Sequence, residues 1–217
     1  MIRSVFFFLL SLSAGRLSYW VWNHTPAGWL QESGAVPVGL KAHCFRASGR
    51  FTLVFSVPFF LLFLWPAQGL SSGFALPAAA VSFCLVQLSV CDIRYRILQD
   101  QWILFLAAAG LLFPVPAAAR AAGLLIPLAA YALMLTLARA FGRDPGLGAG
   151  DAKLASGLGF AFGGTAILVI FCHAFLLAGV WALALVLTKK AAKGDRIPFG
   201  PFAALSCFGY LLSTWAM

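Results

Sequence analysis

The chain has 217 residues, of which 62% are hydrophobic and only 10% are charged. A soluble domain is nearer half apolar and a quarter charged, so these few charges could not cover a water-facing surface. The composition excludes soluble, disordered, collagen-like and disulfide-framework proteins. It predicts an all-α, polytopic membrane helix bundle, because the apolar stretches are continuous and do not alternate as in a transmembrane barrel.

Eight apolar stretches, separated by short polar or Pro/Gly breaks, are predicted to cross the bilayer. Several are shorter than the roughly 20 residues that a perpendicular span needs. The first also resembles a signal peptide, but no small-x-small site precedes a polar start, so we interpret it as an uncleaved span. The stretches are Ser4–Trp22, Phe51–Trp65, Phe74–Cys91, Gln101–Val115, Ala121–Ala138, Ala152–Phe162, Thr165–Leu187 and Pro198–Met217.

The net charge of +9 has a topological interpretation. With eight crossings, alternate connections share one side, and Arg3 and Arg120 are the only bases in connections on the other side. Basic residues collect in cytoplasmic loops, so the base-rich side is predicted to be cytoplasmic and both termini to lie outside. That side holds Lys41, Arg46, Arg50, Arg94, Arg96, Arg139, Arg143, Lys153, Lys189, Lys190, Lys193 and Arg196.

Cysteine and histidine give no metal-binding pattern. The five cysteines form no Cys-x-x-Cys pair, which predicts neither a disulfide nor a structural zinc site. His43 and Cys44 are adjacent with no further ligands nearby, so we interpret them as part of an ordinary loop. His173 lies in the middle of a predicted span, where we expect it to hydrogen-bond within the bundle.

Three of the six acidic residues are the candidates for chemistry. Asp92 follows an apolar run, whereas Asp100 and Asp151 each precede one, and all three fall on the predicted cytoplasmic face. Each also has a structural explanation. Asp100 and Asp151 could stabilise helix N-termini, and Asp92 could be the first polar residue out of the membrane, paired with Arg94 or Arg96.

The joint placement of Asp92 and Asp151 favours a functional role. They lie at the ends of different helices, 59 positions apart but at the same predicted depth. Two close carboxyl groups share a proton, so one can take a proton from water while the other polarises a carbonyl. This is aspartic-protease chemistry, which needs no metal and no nucleophilic side chain. Small residues in the helix after Asp151 permit close packing; they are Ala155, Gly159 and Gly163.

Three segments resemble one known family. Residues Asp92–Asp100 read DIRYRILQD, Gly148–Leu154 read GAGDAKL, and Ile197–Phe202 read IPFGPF. In this order and on one membrane face, they resemble the motifs of type IV prepilin peptidases, which are membrane aspartyl proteases of the GxGD type. The similarity extends from about residue 74 to the C-terminus.

The resemblance implies a function and a site. It implies a multi-pass enzyme of the bacterial inner membrane that cleaves the basic leader of type IV prepilins or pilin-like secretion proteins at the cytoplasmic face. Its partners would be this substrate, the lipid bilayer and possible pilus or secretion assembly proteins, with no nucleic acid, metal or cofactor. Asp92 and Asp151 would be catalytic, and the site would be shaped by Gly148, Gly150, Lys153, Asp100, Pro198, Gly200 and Pro201.

The resemblance also divides the chain. Residues 1–50 would form the first transmembrane helix and a cytoplasmic loop, and residues 51–217 the membrane-embedded peptidase core. Two departures from the family are visible. Gln99 stands where the family usually has proline, which predicts a looser loop, and the family's insert with two Cys-x-x-Cys pairs has no counterpart. We therefore expect no zinc knuckle and no N-methyltransferase activity. A membrane transporter or channel and an inactive pilus-assembly scaffold stay as alternatives.

Overall fold

A computed structural model describes residues 2–25, 72–143, 146–189 and 197–215. Side chains are described from residue 11 in the first of these segments, from residue 77 in the second and up to residue 214 in the last. The predicted span Phe51–Trp65, most of the loop that contains Glu32, His43 and Cys44, and the acids Asp144 and Asp195 lie outside the described residues.

The described residues form seven α-helices and no strand. The predicted all-α class is thus confirmed for this part of the chain. Three of the helices, over Pro77–Tyr95, Ala117–Ala140 and Gly164–Leu187, are long and apolar enough to cross a membrane. The helices are α1 Ile2–Asn23, α2 Ser72–Tyr95, α3 Asp100–Gly110, α4 Ala117–Ala140, α5 Ala149–Phe162, α6 Gly164–Leu187 and α7 Gly200–Trp215.

Helix α3 is shorter than the predicted span Gln101–Val115, which is a correction. It has 11 residues and ends at Gly110. Pro114 and Pro116 follow, and each proline disfavours a helical conformation in the residue before it and supplies no backbone N–H donor. At 1.5 Å per residue α3 is only about 16 Å long, so it does not cross a bilayer by itself.

Helix α5 occupies the centre of the bundle, packed by α3, α4 and α6. A Cβ atom on Gly159 would overlap the backbone of Gly123 on α4, and one on Gly123 would overlap Gly159. At a second contact, a Cβ on Gly110 would overlap Ala161. These glycines allow α3 and α4 to pack against α5 with their backbones in close contact, as the spacing of the small residues on α5 predicts.

The relative directions of the helices bring several ends together. Along α3 and α5 the contacts advance in the same direction, from Lys153 with Asp100 to Ala161 with Gly110, so the two helices are parallel. The loop residue Leu98 lies beside Gly150 and Gly200, which are at the starts of α5 and α7. One end of the bundle therefore gathers the end of α2 and the starts of α3, α5 and α7.

Helix α1 is part of the bundle. The Gln87 side chain of α2 is buried, and its Nε2 donates a hydrogen bond to the Ser18 carbonyl oxygen at 3.0 Å. Trp22 is also buried and stacks with Tyr95, with ring centroids 6.2 Å apart. These contacts attach the first apolar segment to the helix that carries Asp92.

The prediction for His173 is wrong. Its side chain is exposed on α6 and makes no hydrogen bond with the described residues. Leu176 and Val180 on the same helix are 66% and 69% exposed, which is the pattern of a surface that contacts lipid acyl chains. Because α6 is apolar all round, its residue pattern has no periodicity that indicates which face points inward.

Candidate active site

Asp92 is buried where α2 meets the start of α7. Its side chain is 6% exposed, and its Oδ2 accepts a hydrogen bond from the Gly200 backbone N–H at 2.6 Å. A Cβ at position 200 would lie 3.0 Å from that oxygen, so glycine allows this close approach. Arg94 and Arg96 are exposed. Asp92 is therefore a buried group bound to a helix N-terminus and not a solvated residue at the membrane exit.

Asp151 lies in the first turn of α5 and is half-buried. Its Oδ2 accepts a hydrogen bond from the Gly148 backbone N–H at 3.2 Å. This contact is the helix-capping role that the sequence left open. Its other oxygen, Oδ1, makes no hydrogen bond with the described residues, so the same carboxyl group keeps an oxygen for other chemistry.

The two carboxyl groups interact electrostatically. Burial and, to a smaller extent, the negative charge of Asp92 together raise the pKa of Asp151 from its ordinary 3.8 to about 6. The hydrogen bond from the Gly148 N–H opposes both effects. A like charge has this effect only within a short distance. Asp92 and Asp151, which are remote in sequence, are thus electrostatically coupled in the fold.

Leu98 separates the helix starts that hold these acids. Its side chain lies 3.2 Å from a Cβ position at Gly150 and 3.3 Å from one at Gly200. Larger residues at either glycine would push Leu98 or Asp92 away. The sequence analysis assigned no role to Leu98. A leucine between Ile97 and Gln99 has no feature that distinguishes it from the many other apolar residues of this chain.

The other predicted residues lie around this end of the bundle. Lys153 Nζ is 2.8 Å from Asp100 Oδ2 and 2.9 Å from Oδ1, which joins the starts of α3 and α5. Their side chains are 51% and 58% exposed, so this ion pair stabilises the fold by at most about 1 kcal/mol. Pro201 is at the second residue of α7, where the missing N–H costs no helical hydrogen bond, and Pro198 precedes the helix, half-buried.

Gln99 is buried, and its side-chain amide has no partner among the described residues. The side chain is 1% exposed, and neither Nε2 nor Oε1 forms a hydrogen bond with this part of the chain. Its backbone is extended, with φ −73° and ψ 121°, just before α3 begins. The substitution of proline by glutamine therefore leaves a buried amide unsatisfied. A buried unsatisfied amide is a stability cost that the sequence alone could not show.

Replacing Gln99 by proline should stabilise the protein by about 1–3 kcal/mol, because the buried amide is removed and φ is already near the proline value. The free energy of unfolding in mild detergent measures this. Gln99→Leu is the matched control, since it removes the amide without fixing φ, and should recover part of the gain. A loss of stability in both variants would show that the Gln99 amide is satisfied.

The site is thus a carboxyl pair at the end of a helical membrane bundle, held by the N-termini of two helices. Comparison with known proteins identifies the class more closely. Residues 79–183 match the model of the type IV leader peptidase family. This segment contains Asp92, Asp100, Asp151 and Lys153, and it belongs to that family. The predicted resemblance is confirmed.

Curated relatives agree with the family match. The chain is 31% identical over 156 residues to a prepilin leader peptidase/N-methyltransferase of Bacillus subtilis (strain 168), covering 68% of this chain and 61% of that protein. It is 30% identical over 165 residues to the protein of the same name from Aeromonas salmonicida (strain A449), covering 71% and 55%. The chain therefore spans a little over half the length of these relatives. No solved structure matches it.

The raised pKa of Asp151 predicts a pH dependence for any chemistry that needs this carboxyl group protonated. Above a pKa of about 6, Asp151 loses its proton and can no longer donate one to a carbonyl oxygen. We expect kcat/KM for peptide cleavage to fall about tenfold per pH unit on the alkaline side of that pKa. Initial rates in a constant-ionic-strength buffer series measure this. A kcat/KM that stays constant from about pH 5 to about pH 9 would contradict this expectation.

Proposed function

We propose that this protein is a prepilin leader peptidase of the two-aspartate type. It cleaves the basic leader from type IV prepilins or pilin-like secretion proteins at the cytoplasmic membrane face. The observation that supports this most directly is the electrostatic coupling of Asp92 and Asp151 at one end of the bundle. The family match over residues 79–183 contributes the substrate class.

The mechanism uses the pair with one proton between them. The ionised carboxylate takes a proton from a water molecule, whose oxygen attacks the scissile carbonyl carbon, and the protonated carboxyl donates its proton to the carbonyl oxygen. When the tetrahedral intermediate collapses, the C–N bond breaks, the pair gives its proton to the leaving amine nitrogen, and one hydroxyl of the gem-diol returns its proton to the pair as the new carboxyl group forms. The pair is then left with one proton again, so no net proton is gained or lost by the two acids.

The hydrogen bonds of the site assist this cycle from the protein side. The Gly200 N–H fixes Asp92 Oδ2, and the Gly148 N–H fixes Asp151 Oδ2. Each carboxyl group is therefore held by a helix start, and Asp151 Oδ1, which makes no hydrogen bond with the described residues, is left to exchange protons with water or peptide. Such preorganisation avoids reorientation of the acids during the reaction.

The location belongs to the proposal as well. The carboxyl pair lies at the bundle end to which the charge distribution assigns the cytoplasm, with Arg94, Arg96 and Lys153 exposed nearby. An enzyme with its site at this end of the bundle can bind the leader where the substrate emerges from the bilayer. A bacterial inner membrane, with both termini outside, completes this topology.

The experiment is cleavage of a synthetic substrate by the protein reconstituted in vesicles. The substrate carries a short basic leader followed by a hydrophobic helix, and mass spectrometry identifies the products. We expect hydrolysis of one bond at the junction between the leader and the helix. An intact substrate, with the protein folded and oriented, would favour a non-enzymatic assembly scaffold.

We also propose that the protein does not methylate its product, because it has no Cys-x-x-Cys pair. The same reaction with S-adenosylmethionine tests this. The new N-terminal amine should keep the mass of the unmodified product, and a product heavier by one methyl group would overturn the proposal. A transporter is not favoured, since His173 is exposed on α6 and does not line a path through the described bundle.

A further inference from the structure

Arg120 is a buried charge on the first turn of α4. Its side chain is 9% exposed, and its guanidinium lies 5.4 Å from the centre of the Phe160 ring. All its hydrogen bonds go to backbone carbonyl oxygens. Nε donates to Val115 at 3.2 Å, Nη1 to Gly110 at 2.9 Å and Phe160 at 3.1 Å, and Nη2 to Phe113 at 2.6 Å and Leu111 at 3.4 Å.

Two of these five carbonyls belong to the C-terminal ends of helices. Gly110 is the last residue of α3, and Phe160 lies in the last turn of α5. The last carbonyls of a helix have no donor within it and carry its negative dipole end, so a guanidinium with five N–H donors satisfies them in charge and geometry. Arg120 thus needs no carboxylate partner.

The opposite ends of the same helices carry acids. Asp100 is in the first turn of α3 and Asp151 is in the first turn of α5. The two helices run parallel, with 11 and 14 residues, or about 16 and 21 Å. Rigid helices this short transmit an axial shift from one end to the other.

We propose that Arg120 is a positioning residue that joins the C-terminal ends of α3 and α5 and thereby fixes the axial position of α5, and with it Asp151, relative to α3 and the Asp92–Asp100 segment that leads into α3. Its contact with both helices is independent of the peptidase activity. The catalytic consequence rests on the proposed function.

The test compares Arg120→Lys and Arg120→Met with Arg139→Met, which removes an exposed charge from the same helix. Lysine supplies three donors from one atom, so it reaches fewer of the carbonyls, and methionine supplies none. We expect kcat for peptide cleavage to fall about 100-fold with Met and less with Lys, at unchanged KM. Arg139→Met should match the unsubstituted protein. A residue needed only for folding would lower the folded fraction but not kcat per folded molecule.

A second readout needs no substrate. Nitroxide labels at Ala149→Cys on α5 and Leu104→Cys on α3, both exposed, report the axial position of α5 relative to α3 by pulsed electron resonance. Cys172, which is exposed, and Cys44 are replaced by serine for this purpose. The distance distribution should shift or broaden in Arg120→Lys and stay unchanged in Arg139→Met.

The outcomes separate the two proposals. Unchanged label distances in both Arg120 variants overturn the positioning role, whatever the activity. Shifted distances with unchanged kcat overturn its catalytic consequence. If the unsubstituted protein cleaves nothing but the distances shift, the peptidase proposal fails and the joining of α3 and α5 stands. If Arg120→Met does not fold, Arg120→Lys decides by the same criteria.

Discussion

Replacing Asp92 or Asp151 by asparagine should lower kcat for leader cleavage by at least about 1,000-fold. Asparagine keeps the size of the side chain but cannot hold or accept the shared proton. Since the two acids act as one unit, the double variant should lose little more than either single variant. Product formation per folded molecule in vesicles, followed by mass spectrometry, measures all three.

The control for these variants is Asp195→Asn, which changes an acid that the sequence assigns to a charged loop. It should cleave at the normal rate. Membrane insertion and thermal unfolding of each variant are measured beside activity, so that loss of protein is not mistaken for loss of chemistry. Normal cleavage by a correctly inserted Asp92→Asn or Asp151→Asn variant would refute the two-aspartate mechanism.

Gly159→Ala should destabilise the bundle by about 3 kcal/mol or more. The added methyl group would overlap the backbone of Gly123, and neither helix backbone can move aside without opening the contact between α4 and α5. Because Asp151 lies in the first turn of α5, cleavage should fall as well. Chemical unfolding in mild detergent gives the change in free energy.

Gly179→Ala is the matched control for this substitution. Among the described residues, no atom outside the helix's own backbone and chain neighbours lies within 4 Å of a Cβ at position 179 or at Gly209, so alanine fits at both. Its higher helix propensity adds up to about 1 kcal/mol of stability. Equal stability of Gly159→Ala and Gly179→Ala would contradict the close packing of α4 on α5.

The sequence predicted the features of this fold that depend on residue type and spacing. Apolar runs gave the helices, and the small residues around Gly159 indicated close packing on α5. Helix ends were less predictable. Helix α2 continues past Asp92 to Tyr95, whereas α3 stops at Gly110, because capping and the following prolines decide the ends more than hydropathy does.

The candidate site was predictable only in part. The acids and glycines stood out because charged residues are rare in this chain and glycine permits close approach. The roles of Leu98 and Arg120 were not visible, since each depends on how several helix ends meet in space. The sequence identified Arg120 only as a basic residue on the predicted outer side. Its five hydrogen bonds go to backbone carbonyl oxygens, which a pattern of side-chain types cannot predict.

The most direct test of the coupling between the two acids is an infrared titration of the Asp151 carboxyl group, with Asp151→Asn used to assign its band. The unsubstituted protein should titrate at a pKa of about 6. In Asp92→Asn the like charge is gone while burial persists, so the pKa of Asp151 should fall below that value but stay above 3.8. The same pKa in both proteins would mean that the two carboxyl groups do not interact.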